Sequence, residues 1–196
     1  MTPQAQVESL EGFWPRAQEI VLGMVGAMVF SLLIAVGAKL RLPWDPVPFT
    51  LQTFFVLLAG ALLGSRYGAL SGAWYIALGA GGVPLFAGAT AGWGYLSGAT
   101  AGYLVGFVVG ACLVGSVVER LERPRFGALA LTMAAASAVI LLCGALWLAC
   151  GLGLGPLAAL KQGVIPFLPG DALKSMLAAA VVLPILRRRG ATGRAG

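Results

Sequence analysis

Five stretches of this chain, residues 20–38, 50–64, 67–80, 102–118 and 127–150, contain no Asp, Glu, Lys or Arg, and a sixth, 171–186, contains only Asp171 and Lys174. Apolar runs of this kind belong in lipid, where the backbone amides must bond to one another, so helices are what they form. With 59% of its 196 residues hydrophobic and 10% charged, the chain reads as an all-α membrane protein with six transmembrane helices. The second and third runs are short for a bilayer crossing. The simplest organisation is one membrane domain over residues 20–189, preceded by a cytoplasmic or interfacial segment 1–19 and followed by a cytoplasmic tail 190–196.

Charge sets the orientation. Placing both termini in the cytoplasm puts Arg16, Arg66, Arg120, Arg123, Arg125, Arg187, Arg188, Arg189 and Arg194 inside, nine of the thirteen Lys and Arg. Lys39, Arg41 and Lys161 fall in outer loops, and Lys174 starts the last helix. This asymmetry predicts an N-in, C-in multi-pass protein of the cell membrane. The net charge of +6 then reflects orientation and contact with anionic lipid. Nucleic acid is not expected as a partner, because the basic residues are split among separate loops. Glu8, Glu11 and Glu19 precede the first run without a basic leader, so the amino-terminal segment is expected to be mature, with Trp14 and Pro15 as a surface anchor.

What is missing narrows the function. No glycine-rich loop ending in Lys-Ser or Lys-Thr is present to cradle a nucleotide phosphate, so the chain is not expected to hydrolyse ATP itself. Histidine is absent, and Asp45 and Asp171 are the only carboxylates outside the cytoplasmic segments, weak material for acid–base or metal catalysis. Cys112, Cys143 and Cys150 sit in apolar helices without metal-binding spacing and read as small core residues. Binding outranks chemistry, and neither cofactor nor metal is expected.

Three outer loops, 39–49, 81–101 and 151–170, gather the informative side chains. The second is charge-free and glycine-studded, GGVPLFAGATAGWGYLSGATA. An irregular backbone with so few polar side chains must be buried in protein or line a cavity. Its aromatics Trp93 and Tyr95, with Tyr103 just beyond, suit a flat-walled pocket or an interfacial belt. Thr50 and Gln52 open the second helix, either capping it or pointing into a cavity. Asp171, at the start of the last helix, is readily explained as an N-cap or as a partner for the helix dipole. Lys174 needs a partner: burying it in membrane costs about 2.5–3.5 kcal/mol, and the dipole of a helix's first turn opposes it. That partner is Asp171, at i−3, or a ligand. Along helix 1, Gly23, Ala27, Ser31 and Ala35 recur every fourth residue, a small-residue stripe for close helix packing, either within the bundle or on a partner subunit.

Several blocks together are similar to the BioY family, biotin-binding S components of energy-coupling factor (ECF) transporters. They run from Val47-Pro48-Phe49-Thr50-Leu51-Gln52-Thr53 through Leu62-Leu63-Gly64-Ser65-Arg66-Tyr67-Gly68-Ala69-Leu70 and Gly82-Val83-Pro84-Leu85-Phe86-Ala87-Gly88. Gly98-Ala99-Thr100-Ala101-Gly102-Tyr103-Leu104-Val105-Gly106-Phe107 and Pro166-Phe167-Leu168-Pro169-Gly170-Asp171-Ala172-Leu173-Lys174 complete the set. Family members usually carry a Gly-Pro-Thr-Gly-Gly-Tyr-like segment, where this chain has Ala99 and Ala101 in place of a proline and a glycine. The resemblance implies the six-helix S-component fold and biotin as substrate. It places Asp171 and Lys174 against polar groups of biotin, and Thr50, Gln52, Trp93, Tyr95, Thr100 and Tyr103 in the pocket. It also implies partnership with an ECF transmembrane subunit and two ATPase subunits, with the stripe Gly23, Ala27, Ser31 and Ala35 as the docking surface. An S component for another vitamin and a membrane-embedded enzyme are the competing readings.

Overall fold

A computed structural model of the protein describes the backbone of residues 3–43 and 45–192 and the side chains of residues 18–43 and 45–188. In chain order its elements are α1 (Pro3–Lys39), the short strands β1 (Arg41–Leu42) and β2 (Phe49–Thr50), α2 (Gln52–Ala80), α3 (Trp93–Leu96), α4 (Ala101–Val118), α5 (Phe126–Leu146), α6 (Pro156–Gly163) and α7 (Leu168–Thr192). A π-helical turn, Trp147–Gly151, continues α5, and a 3-10 turn, Ile165–Phe167, leads into α7. Helix α1 runs unbroken through segment 1–19 from Pro3. The side chains of Trp14 and Pro15, expected as an anchor, and the tail from residue 193 lie outside the described residues.

Among the described residues, five helical segments are long and apolar enough to cross a membrane: Gln18–Lys39, Gln52–Ala80, Ala101–Val118, Phe126–Gly151 and Pro156–Arg188. The second supplies two passes. Straight, it would hold Gln52 and Tyr75 about 34 Å apart at 1.5 Å per residue, yet Gln52 Nε2 donates to Tyr75 Oη at 2.8 Å. The chain reverses at Gly64, whose φ of 81° and ψ of −178° belong to a region open only to glycine. Residues 52–63 and 65–80 therefore pack as an antiparallel pair, so close that a methyl group on Gly68 would lie 2.7 Å from the Gly60 Cα. The six-helix expectation holds, with the link between spans two and three reduced to one residue. Glu119, at the end of α4, receives the Ser65 N–H at 2.7 Å, placing a carboxylate at the positive end of the helix that Gly64 frees.

Helix α2 packs on α1, α4 and α7, and α5 on α4 and α7. Two apolar clusters fill the bundle. One, including Leu57, Val114, Leu129, Met133 and Val182, lies toward the Gly64 reversal. The other, including Tyr75, Phe86, Tyr103, Phe107, Ile140 and Phe167, lies under the opposite loops. That opposite end, with β1, β2, α3 and α6, is the outer end in the orientation the charges predict.

The stripe on α1 points inward, contrary to its expected role as a partner-docking surface. Ala27 and Ser31 are 0% exposed and Ala35 is 6% exposed, while a methyl on Gly23 would run into the Tyr67 ring. The small residues let α1 lie against the α2 hairpin, and the face of α1 open to its surroundings carries Val21, Leu22, Val25, Val29, Leu32 and Val36 instead.

Candidate substrate-binding site

A cavity of about 500 Å³, its mouth included, opens at the loop end of the bundle. Its wall includes Thr50, Gln52, Tyr95, Thr100, Tyr103, Asp171 and Lys174, so seven of the eight residues expected in a pocket line one space. Trp93 does not. It stands 77% exposed on α3, and the expectation that it forms a pocket wall is corrected: on so short a helix Trp93 and Tyr95 point apart, and Tyr95 is the one turned inward.

The floor is ionic. Lys174 Nζ donates to Asp171 Oδ1 at 2.6 Å, and both residues are 5% exposed. Ser137, from the middle of α5, donates to the other carboxylate oxygen, Asp171 Oδ2, at 2.8 Å. Lys174 Nζ also lies 4.3 Å from the centroid of the Phe49 ring, a cation–π contact that supports the charge in an apolar setting. Because α7 starts at Leu168, Asp171 sits inside the first turn and does not cap it. Its negative charge is favoured there by the helix dipole, whereas Lys174 falls in the second turn, beyond the first turn expected from the sequence. Of the three ammonium donors, one is spent on Asp171, which leaves donors for a ligand.

Beside the floor, Thr50 Oγ1 donates to Gln52 Oε1 at 3.1 Å, and Gln52 passes the chain on to Tyr75. Thr50 is a strand residue, and the position before α2 is Leu51, without a side-chain cap. Thr50 thus orients the Gln52 amide and does not cap the helix. The glycine-rich loop is tied onto this relay through aromatic rings. Tyr75 meets Phe86 edge-on at 5.5 Å, and Phe86 stacks on Tyr95 at 4.4 Å with an 11° interplanar angle. Trp147 Nε1 donates to the Gly98 carbonyl at 2.9 Å, fixing the loop's other end to α5. Tyr103 Oη donates to the Gly163 carbonyl at 2.6 Å and pins α6 over the cavity.

Sequence reasoning missed Ser137, Tyr75 and the apolar wall of Val47, Phe107, Ile140, Leu141 and Phe167. Tyr75 and Ser137 did carry a signal, as polar tips within charge-free spans. The apolar wall carried none, since such residues are common in every helix of the chain.

A buried ion pair with spare hydrogen-bonding capacity, an oriented amide and an aromatic–aliphatic wall, all at one end of a membrane bundle, define a membrane protein that encloses a small polar-headed molecule. The chain belongs to the BioY family, whose pattern its residues 8–191 match. It is 48% identical over 99 residues to the "Biotin transporter BioY" of Thermotoga maritima, covering 50% of this chain and 59% of that one. A "Probable biotin transporter BioY" of Pyrococcus horikoshii is 37% identical over 168 residues, covering 86% and 94%. The fold is also that of a solved protein, described as the S-component for biotin from an ECF-type ABC transporter, with a TM-score of 0.74, 24% identity and 95% of both chains covered.

Proposed function

We propose that this chain captures biotin from outside the cell and serves as the substrate-binding subunit of an ECF uptake system, acting with a transmembrane partner and two ATPase subunits in the cell membrane. It works as a binding protein and not as an enzyme. Relatives named as biotin transporters over most of this chain's length support the substrate. The observation that carries the reading is the floor, where Asp171 and Lys174 face the cavity together with Gln52.

The chemistry fits the ureido ring. Its two N–H groups find acceptors in the Asp171 carboxylate and the Gln52 carbonyl, and its oxygen finds the free ammonium donors of Lys174. Buried charged groups left unpaired by a wrong ligand would carry a large penalty, which is how such a floor selects. The thioether ring and the valeryl chain are apolar and belong against Tyr95, Tyr103, Phe107, Ile140 and Leu141. Nanomolar binding corresponds to about 12 kcal/mol and requires this combination of enclosure and satisfied polar groups.

The test is to purify the chain from cells grown with biotin and identify what remains bound by mass spectrometry. Biotin at close to one per chain is expected. Another vitamin in its place would retain the S-component class and overturn the substrate.

A further inference from the structure

A second concavity adjoins this cavity, sharing Pro48, Ala87, Tyr95 and Thr100 with the first, and among the described residues the only charged one in its lining is Arg41. The β1–β2 pairing sets Arg41 directly opposite Thr50. Opposed residues of an antiparallel pair project on the same face with Cβ atoms about 5 Å apart, so the strand register delivers the guanidinium to the cavity mouth. Its reach ends against Gly88, where a methyl group would lie 3.2 Å from Arg41 Nη1 and where φ is +86°; glycine there leaves room for the guanidinium.

The charges of the two concavities differ. At the floor Lys174 is matched by Asp171, whose second oxygen is already engaged by Ser137. A carboxylate arriving there would meet a charge-neutral pair and the repulsion of Asp171. Arg41 is different: among the described residues its side chain makes neither a salt bridge nor a hydrogen bond. Lys39, two positions earlier, is already committed to the Pro84 carbonyl at 2.7 Å, and Asp45 of the same loop makes no ion pair with Arg41.

We propose that Arg41 recognises the carboxylate of the substrate, so that the ligand binds with its neutral polar ring on the Asp171–Lys174 floor and its acidic tail at the mouth. This rests on the biotin reading above. A guanidinium fork can grip both carboxylate oxygens, and the concavity around it is walled by backbone-rich, uncharged residues.

The experiment is calorimetric titration of the purified full chain and of its Arg41→Gln and Lys174→Met variants with biotin and with biotinamide, in which a neutral amide replaces the carboxylate. The wild type is expected to prefer biotin by about tenfold, the scale of one charge-assisted contact that is partly open to water. Arg41→Gln is expected to lose that preference by weakening biotin alone, whereas Lys174→Met weakens both ligands together. Equal loss for both ligands in Arg41→Gln, or no loss for either, overturns the assignment while leaving the biotin reading standing. So does a preference abolished by Lys174→Met, which would mean a tail-in pose. Failure of the wild type to bind either ligand overturns the biotin reading and this inference with it.

Discussion

Lys174 reaches back one turn of α7 to Asp171 at 2.6 Å, and the pair so formed faces the cavity. The two explanations of Lys174 that its sequence position left open, an intrahelical partner and a ligand contact, are therefore compatible. The same pair satisfies the lysine where it is buried in the bundle and leaves its remaining donors available to the cavity.

Stability and binding should separate when this pair is dismantled. Lys174→Met leaves a buried carboxylate unmatched and should lower stability by about 3–5 kcal/mol. Asp171→Asn does the same to the ammonium. The double variant Asp171→Asn/Lys174→Met removes both charges and should recover most of the stability of the parent, yet bind biotin at least about a hundredfold more weakly, given the charge-assisted contacts it loses. Thermal unfolding in detergent alongside a binding titration checks both; recovered binding in the double variant would make the pair purely structural.

The two aromatics of α3 should behave oppositely. Trp93→Ala should leave biotin affinity within about twofold, because the ring is 77% exposed. Tyr95→Ala removes a cavity wall and the stacking partner of Phe86 and should weaken binding by about tenfold, the scale of one aromatic contact with its buried area. Titration of both variants decides the matter.

Position 27 tests which way α1 faces. Ala27→Trp must force an indole between α1 and the α2 hairpin, where Ala27 is fully buried, and should abolish recovery of folded, monodisperse protein. Val29→Trp, on the open face, should be recovered like the parent. Size-exclusion chromatography of the two is sufficient.

Gly64 should resist substitution. Alanine there must adopt a glycine-only conformation at about 1–3 kcal/mol, and its methyl would strike Glu119 Oε1. Gly64→Ala should lower the unfolding temperature more than Glu119→Gln, which keeps an acceptor for the Ser65 N–H. The reverse order would show that the reversal is held by the carboxylate and not by the glycine.

Charge and hydropathy made the spans and the cavity end readable, because both follow from what lipid excludes along the chain. The Asp171–Lys174 pair was readable because a lysine in an apolar helix demands an explanation. The direction of the α1 stripe was not: Gly23, Ala27, Ser31 and Ala35 permit close approach by any helix, and only the tertiary position of Tyr67 decides which. The fold-back at Gly64 was readable as a break but not as a hairpin with so short a link, since the contacts that require it, Gln52 with Tyr75 and Gly60 with Gly68, lie far apart in sequence. Ser137 escaped for the same reason: a serine in an apolar helix bonds to its own backbone as readily as to a distant carboxylate.

The most direct measurement is a calorimetric titration of the purified, ligand-free chain with biotin. One site per chain with submicromolar affinity, reduced in Asp171→Asn, Lys174→Met and Gln52→Ala, is what the cavity predicts. Absence of biotin binding by well-folded protein that binds a different vitamin tightly would contradict it.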